Sequence, residues 1–389
     1  MKLLRTLPTS RLLLLIAALV VSASALTAIA VAASGGGGPK PPPKPLAQAL
    51  HDSLAGPAPA GVTARIKFVN KLFPSGAITG QVGSALMSGA SGRLWATNDG
   101  RGRLELQSDA GDVQVVWNDT RVTVFDASSN TVYRAKLPAH STKSSEHTGV
   151  PSVAKISNFL TKIGEHVALS GARPSDVAHQ AAYTVRVSPK HDGGLLGAAE
   201  LAWDASRGVP LRLAIYAQGA SSPVLELTAT DISYGSVPSS DVDVSPPAGA
   251  KSIDLGSLTR QRDHKGSHVS ANGLSAVEAS AGFPVVAPAT LVGLPRQDVR
   301  LVGNGDSKTA LVVYGHGLGA IIVLERKAEG NGHGGALGGL PAVSLDGVTA
   351  HELATQLGTA LTWNRGEVAY VLAGSVPTAA AEAAARDLK

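Results

Sequence analysis

The sequence has no cysteine among its 389 residues. This absence excludes disulfides, thiol nucleophiles, cysteine-ligated zinc, iron–sulfur clusters and a lipid anchor on an N-terminal cysteine. Aromatic residues are scarce at 4%, and charged residues reach only 16%, against about 25% in an average domain. Apolar residues make up 44%, which is enough for a core, while 44 glycines and 23 prolines favour turns and β-structure over long helices.

The N-terminal 33 residues carry an export pattern. Lys2, Arg5 and Arg11 precede an uncharged run of 22 residues, 12–33, in which small residues accumulate towards the end. A positive start, an apolar run and small residues are typical of a signal peptide. The run is also long enough to span a bilayer of about 30 Å, so a cleaved signal peptide and an uncleaved membrane anchor both stay open. Either alternative places the remaining chain outside the cytoplasm.

The basic balance of the chain does not indicate a nucleic-acid-binding protein. Removal of residues 1–33 takes away three positive charges and no negative ones, which lowers the formal net charge from +5 to +2. The remaining lysines and arginines are scattered, and no stripe combines basic with aromatic residues. We therefore expect no nucleic-acid partner.

Composition divides the rest of the chain into four parts. Residues 34–45 form a Gly/Pro-rich linker, flexible at its four glycines and stiffer at its prolines. Residues 46–251 are expected to form a first domain and residues 275–389 a small α+β domain. The polar stretch 252–274 between them has the composition of a second linker.

The first domain has the pattern of an antiparallel sheet covered by helices, which is an α+β class. Short alternating strands follow one another through local turns, for example at Asn98-Asp99-Gly100. Leucines four residues apart predict a helix from Leu46 to Leu54. Apolar residues at helical spacing from Val153 to Ile163 predict a second helix, with Ser152 as its N-cap. We expect this second helix to bury its apolar face on the sheet.

One hairpin and the C-terminal ending of this domain resemble the LolA/RseB superfamily, the outer-membrane lipoprotein carriers and their envelope-sensing relatives. The resemblance covers residues 46–251 and is carried by Leu201-Ala202-Trp203-Asp204 with Gly208-Val209-Pro210-Leu211-Arg212-Leu213, by Asp231-Ile232-Ser233-Tyr234, and by Pro246-Pro247-Ala248-Gly249-Ala250-Lys251. It implies a strongly curved, incomplete antiparallel barrel with helices over its open side, and an apolar cavity that holds acyl chains. No motif transfers the family's individual cavity residues to this sequence.

The cavity is also an expectation from the residues, although a solid core fits the same pattern. Inward positions of the predicted strands are mostly aliphatic and of moderate size, which suits acyl chains because they need only burial. The candidate lining residues are the apolar members of the strand pattern: Leu94, Leu104, Leu106, Val113, Val115, Trp117, Leu211, Leu213 and Ile215.

The small C-terminal domain resembles a domain of unsettled function that often follows LolA-like domains in actinobacterial secreted proteins. Its marks are Gly282-Phe283-Pro284-Val285, Tyr314-Gly315-His316-Gly317-Leu318-Gly319 and Trp363-Asn364-Arg365-Gly366. A large LolA-like domain followed by a small one is also the layout of the RseB (MucB) regulators. No specific match to their small domain is present.

Several segments look like catalytic or metal-binding motifs, but their neighbouring residues do not fit such sites. Gly315 to Gly319 is followed by a strand pattern instead of a helix, which predicts a hairpin turn and not a phosphate loop. His351-Glu352 begins like a zinc-protease helix, but Thr355 replaces the second histidine. His264 and His268 lie in the predicted linker, and His333 lies among glycines, which predicts a loop. We therefore expect no enzyme, no cofactor and no metal site.

Two functions remain. The first is an exported, non-enzymatic carrier or chaperone that holds acyl chains of a lipid or lipoprotein. The second is an RseB/MucB-like envelope-stress sensor or regulatory adaptor, which binds lipid or lipoprotein and also a membrane signalling protein. The export segment, the meander with its helical cover and the resemblance favour the carrier as the first hypothesis. The two domains and the possible membrane anchor favour the sensor as the alternative.

Overall fold

The computed structural model describes residues 38–72, 85–137, 150–254, 269–328 and 340–389. The predictions for residues 1–33, for His264 and His268 and for His333 lie outside these ranges. Within them the chain forms two sheets, one of thirteen strands and one of nine.

The large sheet contains the first thirteen strands, most of them joined by short turns. Their bounds are β1 Gly61–Asn70, β2 Ala90–Thr97, β3 Gly102–Ser108, β4 Gly111–Trp117, β5 Arg121–Asp126, β6 Thr131–Lys136, β7 Val167–Leu169, β8 Arg173–Val177, β9 Gln180–Pro189, β10 Leu196–Asp204, β11 Pro210–Ala217, β12 Leu225–Tyr234 and β13 Lys251–Asp254.

The order of neighbours in this sheet is β13-β6-β5-β4-β3-β2-β1-β12-β11-β10-β9-β7, and β8 also pairs with β9. The sheet is therefore a meander joined in the middle by β1 against β12, which brings the two halves of the segment together. Its strand pairs within the described residues are antiparallel except that β13 runs parallel to β6. The sheet is curved and does not close into a barrel, so the predicted α+β class with an incomplete curved sheet is confirmed.

Within the described ranges, four helices accompany the large sheet: α1 Leu46–Ala55, α2 Ala85–Ser88, α3 Val153–Ile163 and α4 Ser239–Val242. Helix α1 lies on Tyr183, Val185 and Trp203 of β9 and β10. Helix α2 lies on β1, β3 and β4, and its Ala85 is fully buried there. The predicted N-cap of α3 is confirmed, because the Ser152 side chain accepts a hydrogen bond from the Lys155 amide.

One prediction for α3 is wrong. The helix packs chiefly against α1 and does not lay its apolar stripe on the sheet. Of that stripe only Ile156 is buried, and Phe159 is 61% exposed. The physical reason is that α1 already occupies the sheet surface beside β9 and β10, so α3 forms a second layer above it.

The second sheet begins with β14 Val269–Asn272 and ends just before the C-terminal helix. Its other strands are β15 Thr290–Leu291, β16 Leu294–Val302, β17 Thr309–Tyr314, β18 Ile321–Lys327, β19 Ala342–Leu345, β20 Val348–Thr355, β21 Gly358–Arg365 and β22 Val368–Gly374. The order is β14-β16-β17-β18-β22-β21-β20-β19, with β15 on β16. His351 lies in strand β20, so the helical zinc-ligand face that its motif would need does not form.

Helices α5 Leu274–Ala281 and α6 Thr378–Asp387 cover the second sheet. Alanines at 381, 384 and 385 let α6 approach the strands closely, and all three are fully buried. The core beneath contains Tyr314, Leu361 and Leu372, also at 0% exposure. This sheet is therefore filled and closed on its apolar face.

The two sheets meet through a loop of glycines. The turn predicted at Gly315 to Gly319 is confirmed, since it joins β17 to β18. The Gly319 amide donates to the Asp192 carbonyl in the β9–β10 loop at 2.8 Å. A Cβ on Gly317 would lie 2.8 Å from the Asp192 Cβ, and Gly317 has a φ of +62°. Close backbone approach, and not phosphate binding, accounts for the glycines of this motif.

Candidate functional site: an aliphatic face of the large sheet

Six of the nine predicted lining residues lie on one face of β2, β3 and β4. In the strand register Leu94 is opposite Leu104, and Leu104 is opposite Val115. One step along, Leu106 is opposite Val113. Trp117 is opposite Gly102, and a Cβ on that glycine would lie 2.1 Å from the Trp117 ring. The glycine therefore makes room for the indole at the end of this row.

The other three predicted residues lie on β11 and continue the same face. Leu213 is opposite Leu227 of β12, and Ile215 is opposite Leu225. Leu227 is in turn opposite Phe68 of β1, which connects this row to the first group. Leu211 is buried in the same apolar cluster as Leu106 and Val113. The nine residues thus belong to one face, although they come from distant parts of the chain.

Sequence reasoning missed several members of this face, notably Phe68, Val124 and Leu227. Val124 is opposite Val115 in the register of β4 and β5, so alternation along neighbouring strands of the predicted meander would have included it. Phe68 and Leu227 become neighbours only through the β1–β12 pairing, which joins residues far apart in sequence. No local pattern reports that pairing.

The centre of the face is only half-buried. Leu106, Val113 and Leu211 are at most 3% exposed, and Ala85 of α2 is buried in the same cluster. Leu94, Leu104 and Val115 pack against this cluster but keep intermediate exposure. Trp117, Leu213 and Ile215 are also of intermediate exposure. One end of the face is a closed core and the remainder is an aliphatic surface with partial cover.

Helix α1 closes the far end of the face and is tied there by hydrogen bonds. The Trp203 indole Nε1 donates to Ser53 Oγ at 2.8 Å, and Ser53 Oγ donates to the Ala49 carbonyl at 2.8 Å. The Tyr183 hydroxyl donates to the Pro42 carbonyl at 2.7 Å, which holds the preceding linker on the same strands. These bonds fix the edge of the half-open region.

The Trp203-Asp204 motif also has a structural role at this edge. Asp204 is 2% exposed and accepts hydrogen bonds from the amides of Ser206 and Arg207, both at 2.8 Å, and from the Tyr234 hydroxyl at 2.7 Å. Burial and the negative charge of Asp204 raise the pKa of Tyr234. Gly208, with a φ of +66°, passes so close that a Cβ would lie 2.9 Å from the Ser53 carbonyl. The motif closes the β10–β11 turn against α1.

The opposite face carries an ion network on β9, β10 and β11. Glu200 accepts from Arg212 and from the Tyr216 hydroxyl, each at 2.8 Å, and from Arg186 at 3.0 Å. Burial works against ionisation of Glu200, but these hydrogen bonds outweigh it and hold its pKa below the usual value. The two faces of the sheet thus differ sharply, with an ion network on one side and aliphatic side chains on the other.

A groove of about 380 Å³ lies on this polar face and was not predicted. Arg93, Trp95, Arg103, Glu105 and Gln107 line it. Arg103 stands 5.1 Å from the Trp95 ring centre and also forms an ion pair with Glu105. Sequence reasoning followed the apolar half of each strand alternation and so passed over these residues.

The described residues hold no cluster of three or more histidine, aspartate or glutamate side chains suited to a metal ion. None of the helices within those residues combines the length and apolar character that crossing a membrane requires.

Comparisons with known proteins give only distant structural likeness. No family model and no curated protein matches the chain. The crystal structure of MucB in complex with MucA(peri) is 15% identical with a TM-score of 0.40, covering 88% of this chain and 96% of that one. The Pseudomonas aeruginosa MucA/MucB complex is 17% identical with a TM-score of 0.40, covering 87% and 94%. An uncharacterized conserved protein from Thermus thermophilus is 10% identical with a TM-score of 0.32, covering 54% and 96%.

Proposed function

We propose that the protein is an exported, non-enzymatic carrier or chaperone that holds acyl chains of a lipid or lipoprotein on the aliphatic face of its large sheet. The observation that supports this proposal is the half-buried centre of the face, represented by Leu94, Leu104 and Val115, between the closed cluster under α2 and the edge under α1. A surface of this kind offers partial burial in the free protein and full burial when an acyl chain lies on it.

The energetics favour an apolar ligand without polar recognition. Each CH₂ group that leaves water contributes about 0.8 kcal/mol, so a chain of several CH₂ groups gains useful affinity from burial alone. The face supplies aliphatic and aromatic side chains, while the ion network around Glu200 lies on the other side of the sheet. Binding would therefore depend on chain length more than on headgroup chemistry.

The export segment supplies the location. An uncharged run at 12–33 behind Lys2, Arg5 and Arg11 supports an extracytoplasmic protein, either secreted or retained at the membrane. Since the chain has no cysteine, it cannot carry a thioether-linked lipid of its own, and any acyl chain on it would belong to a ligand.

The proposal is tested by native mass spectrometry of the full chain, extracted gently from its own host. We expect adducts whose masses correspond to acylated lipids or lipopeptides and which disappear after delipidation. A chain that is free of adducts in every preparation, and that takes up no fatty acid when one is added, would contradict acyl-chain binding.

The alternative is a sensor or regulatory adaptor, in which the large sheet binds the lipid and the second sheet contacts a membrane signalling protein. Its support is the direct docking of the two sheets, where the Leu195 amide donates to the Ser375 carbonyl at 3.1 Å and Gln356 Nε2 to the Lys71 carbonyl at 2.6 Å. Such contacts would let an event on one sheet reach the other.

Cross-linking in cells separates the two proposals. Photoreactive groups placed on residues 269–389 should capture one membrane protein if the chain is an adaptor. Groups placed beside the aliphatic face within residues 61–254 should capture many acylated molecules, and no single protein, if it is a carrier.

A further inference from the structure

Helix α3 presents a large apolar side chain to solvent. Phe159 is 61% exposed, the highest value among the exposed large hydrophobic residues of the described chain. The inner side of the helix is held elsewhere: Ile156 is buried, and the Pro151 carbonyl just before the helix is 2.9 Å from His51 Nδ1 on α1. Most of the Phe159 side chain therefore lies outside the contacts that attach α3 to the protein.

Two lysines flank this phenylalanine on the same side of the helix. Lys155 is four residues before Phe159 and Lys162 is three residues after it, a spacing that places the three side chains on one surface. Both lysines are exposed, and neither forms an ion pair with a described residue. The helix contains no aspartate or glutamate. Its outer surface, Lys155-Phe159-Lys162, is thus cationic around an exposed aromatic ring.

The linker behind the uncharged run reaches the described part of the chain beside β8 and β9 and leads to α1. Gly38 lies against Asp176 of β8, and the linker then passes Tyr183 before it enters α1, on which α3 packs. Only residues 34–37 separate Gly38 from the uncharged run that ends at residue 33. Fully extended, that connection reaches about 18 Å. A membrane that held the run would therefore lie within about 18 Å of Gly38, at the start of the linker that leads to α1.

We propose that the surface Lys155-Phe159-Lys162 docks onto an anionic lipid surface, with the phenyl ring at the headgroup level and the two ammonium groups beside lipid phosphates. Short amphipathic helices bind membrane interfaces through buried apolar area and through attraction to anionic lipids. Each lysine near such a surface favours docking by about fivefold. This docking is separate from the proposed acyl-chain binding. It requires a lipid surface beside α3, and it does not require a ligand on the large sheet.

Site-directed spin labelling tests this docking cleanly, because the sequence contains no cysteine. A single label is placed at Asn158→Cys beside Phe159, or at Ser91→Cys on the polar face of β2 as the control. The full chain is reconstituted into vesicles of phosphatidylcholine alone or of phosphatidylcholine with phosphatidylglycerol, so that the uncharged run 12–33 is present in both samples.

On vesicles with phosphatidylglycerol, the label at Asn158→Cys should gain accessibility to oxygen and lose accessibility to an aqueous nickel chelate, while the Ser91→Cys label stays aqueous. A label at Asn158→Cys that remains aqueous on both kinds of vesicle overturns the proposal. So does a label that becomes immobile without gaining oxygen accessibility, because the chain's own N-terminal segment or a second copy of the chain would then cover α3.

Charge removal supplies a second, quantitative readout. Lys155→Gln together with Lys162→Gln should lower the docking equilibrium constant by about 25-fold, the product of fivefold for each lysine, and added salt should weaken docking of the parent chain. The control removes two exposed arginines from the large sheet, Arg65→Gln with Arg93→Gln, and should leave docking unchanged. Weaker docking of the arginine variant, with unchanged docking of the lysine variant, would overturn the assignment to α3. Acyl-chain binding can be measured separately in both variants.

Discussion

The two sheets are built from similar residues but differ in how completely their apolar faces are covered. In the second sheet Val312, Tyr314, Leu361 and Leu372 are at 0% exposure beneath α5 and α6. In the large sheet the corresponding central positions, such as Leu104, keep intermediate exposure. The difference lies in the helices: α6 is lined with alanines that approach the second sheet closely, whereas α1 and α2 cover only parts of the large one.

This contrast supports the proposal that the second sheet is a framework and the large sheet a binding surface. A filled core stabilises the fold, and its side chains are not accessible to a ligand. An aliphatic face left half-covered costs stability, which is consistent with a role that requires access. Substitutions in the two sheets should therefore have separate effects, of which the largest falls on the core of the second sheet.

Truncation of a core leucine should affect the second sheet far more than the large one. Leu372→Ala in β22 should lower the free energy of unfolding by about 3–4 kcal/mol, because a fully buried leucine leaves a cavity. Leu104→Ala in β3 should cost about 1 kcal/mol, since that side chain is already partly exposed and its removal leaves no enclosed space. Native-state hydrogen exchange in β22 and β3 measures both. Equal losses would mean that the large sheet is as tightly filled as the second.

A buried acid gives the second sheet a pH dependence of its own. Glu325 is 0% exposed and accepts a hydrogen bond from the Val286 amide at 2.8 Å. Burial raises the pKa of its carboxyl to about 7. Well below pH 4.5, the ordinary pKa of a glutamate, the carboxyl is largely neutral in both the folded and the unfolded chain. As pH rises to 7 the unfolded chain ionises first, so stability falls by about 3 kcal/mol.

Glu325→Gln keeps the acceptor for Val286 and removes the ionisation. The variant should therefore be more stable than the parent at pH 8 by about 3 kcal/mol and equal to it at pH 4. Chemical denaturation at the two pH values measures the difference. A gain that is the same at pH 4 and pH 8 would show that packing, and not ionisation, causes it.

Loss of the hydrogen bond between Trp203 and Ser53, which ties α1 to β10, should affect stability less than Leu372→Ala or the ionisation of Glu325. Ser53→Ala removes the acceptor of the buried Trp203 indole N–H and should cost about 1–2 kcal/mol. Ser206→Ala is the control, because that residue bonds Asp204 through its backbone amide. Thermal unfolding followed by tryptophan fluorescence compares the two. Equal melting temperatures would mean that the hydrogen bond does not hold α1 in place.

Much of the fold could be predicted from local pattern. Alternation and turn residues placed most strands of the large sheet, and Ser152 correctly marked the start of α3. The short strands β7 and β8 were missed, because three to five residues give little periodicity. The candidate lining residues were placed on one face by the register, but their role in binding stays a prediction.

What the sequence could not predict depends on contacts between distant segments. Phe159 is exposed because α1 already covers the sheet surface beside β9 and β10. The spacing of apolar residues within α3 cannot reveal this. The turn at residues 315–319 was predicted correctly from its glycines. The close approach of Asp192, more than a hundred residues away in the chain, explains why glycines are needed there. Local pattern predicts elements, whereas the layering of those elements decides which faces remain open.

The central claim, that the open face of the large sheet binds acyl chains, is tested most directly by two neighbouring valines. Val115 lies on the aliphatic face and Val116 on the polar one, and both are half-buried in β4. Val115→Thr should weaken binding of a fluorescent fatty acid by about three- to tenfold, because it places a hydroxyl where the chain must lie. Val116→Thr makes the same chemical change on the other face and should leave the affinity unchanged. Equal affinities in the two variants, or a loss only in Val116→Thr, would contradict the account.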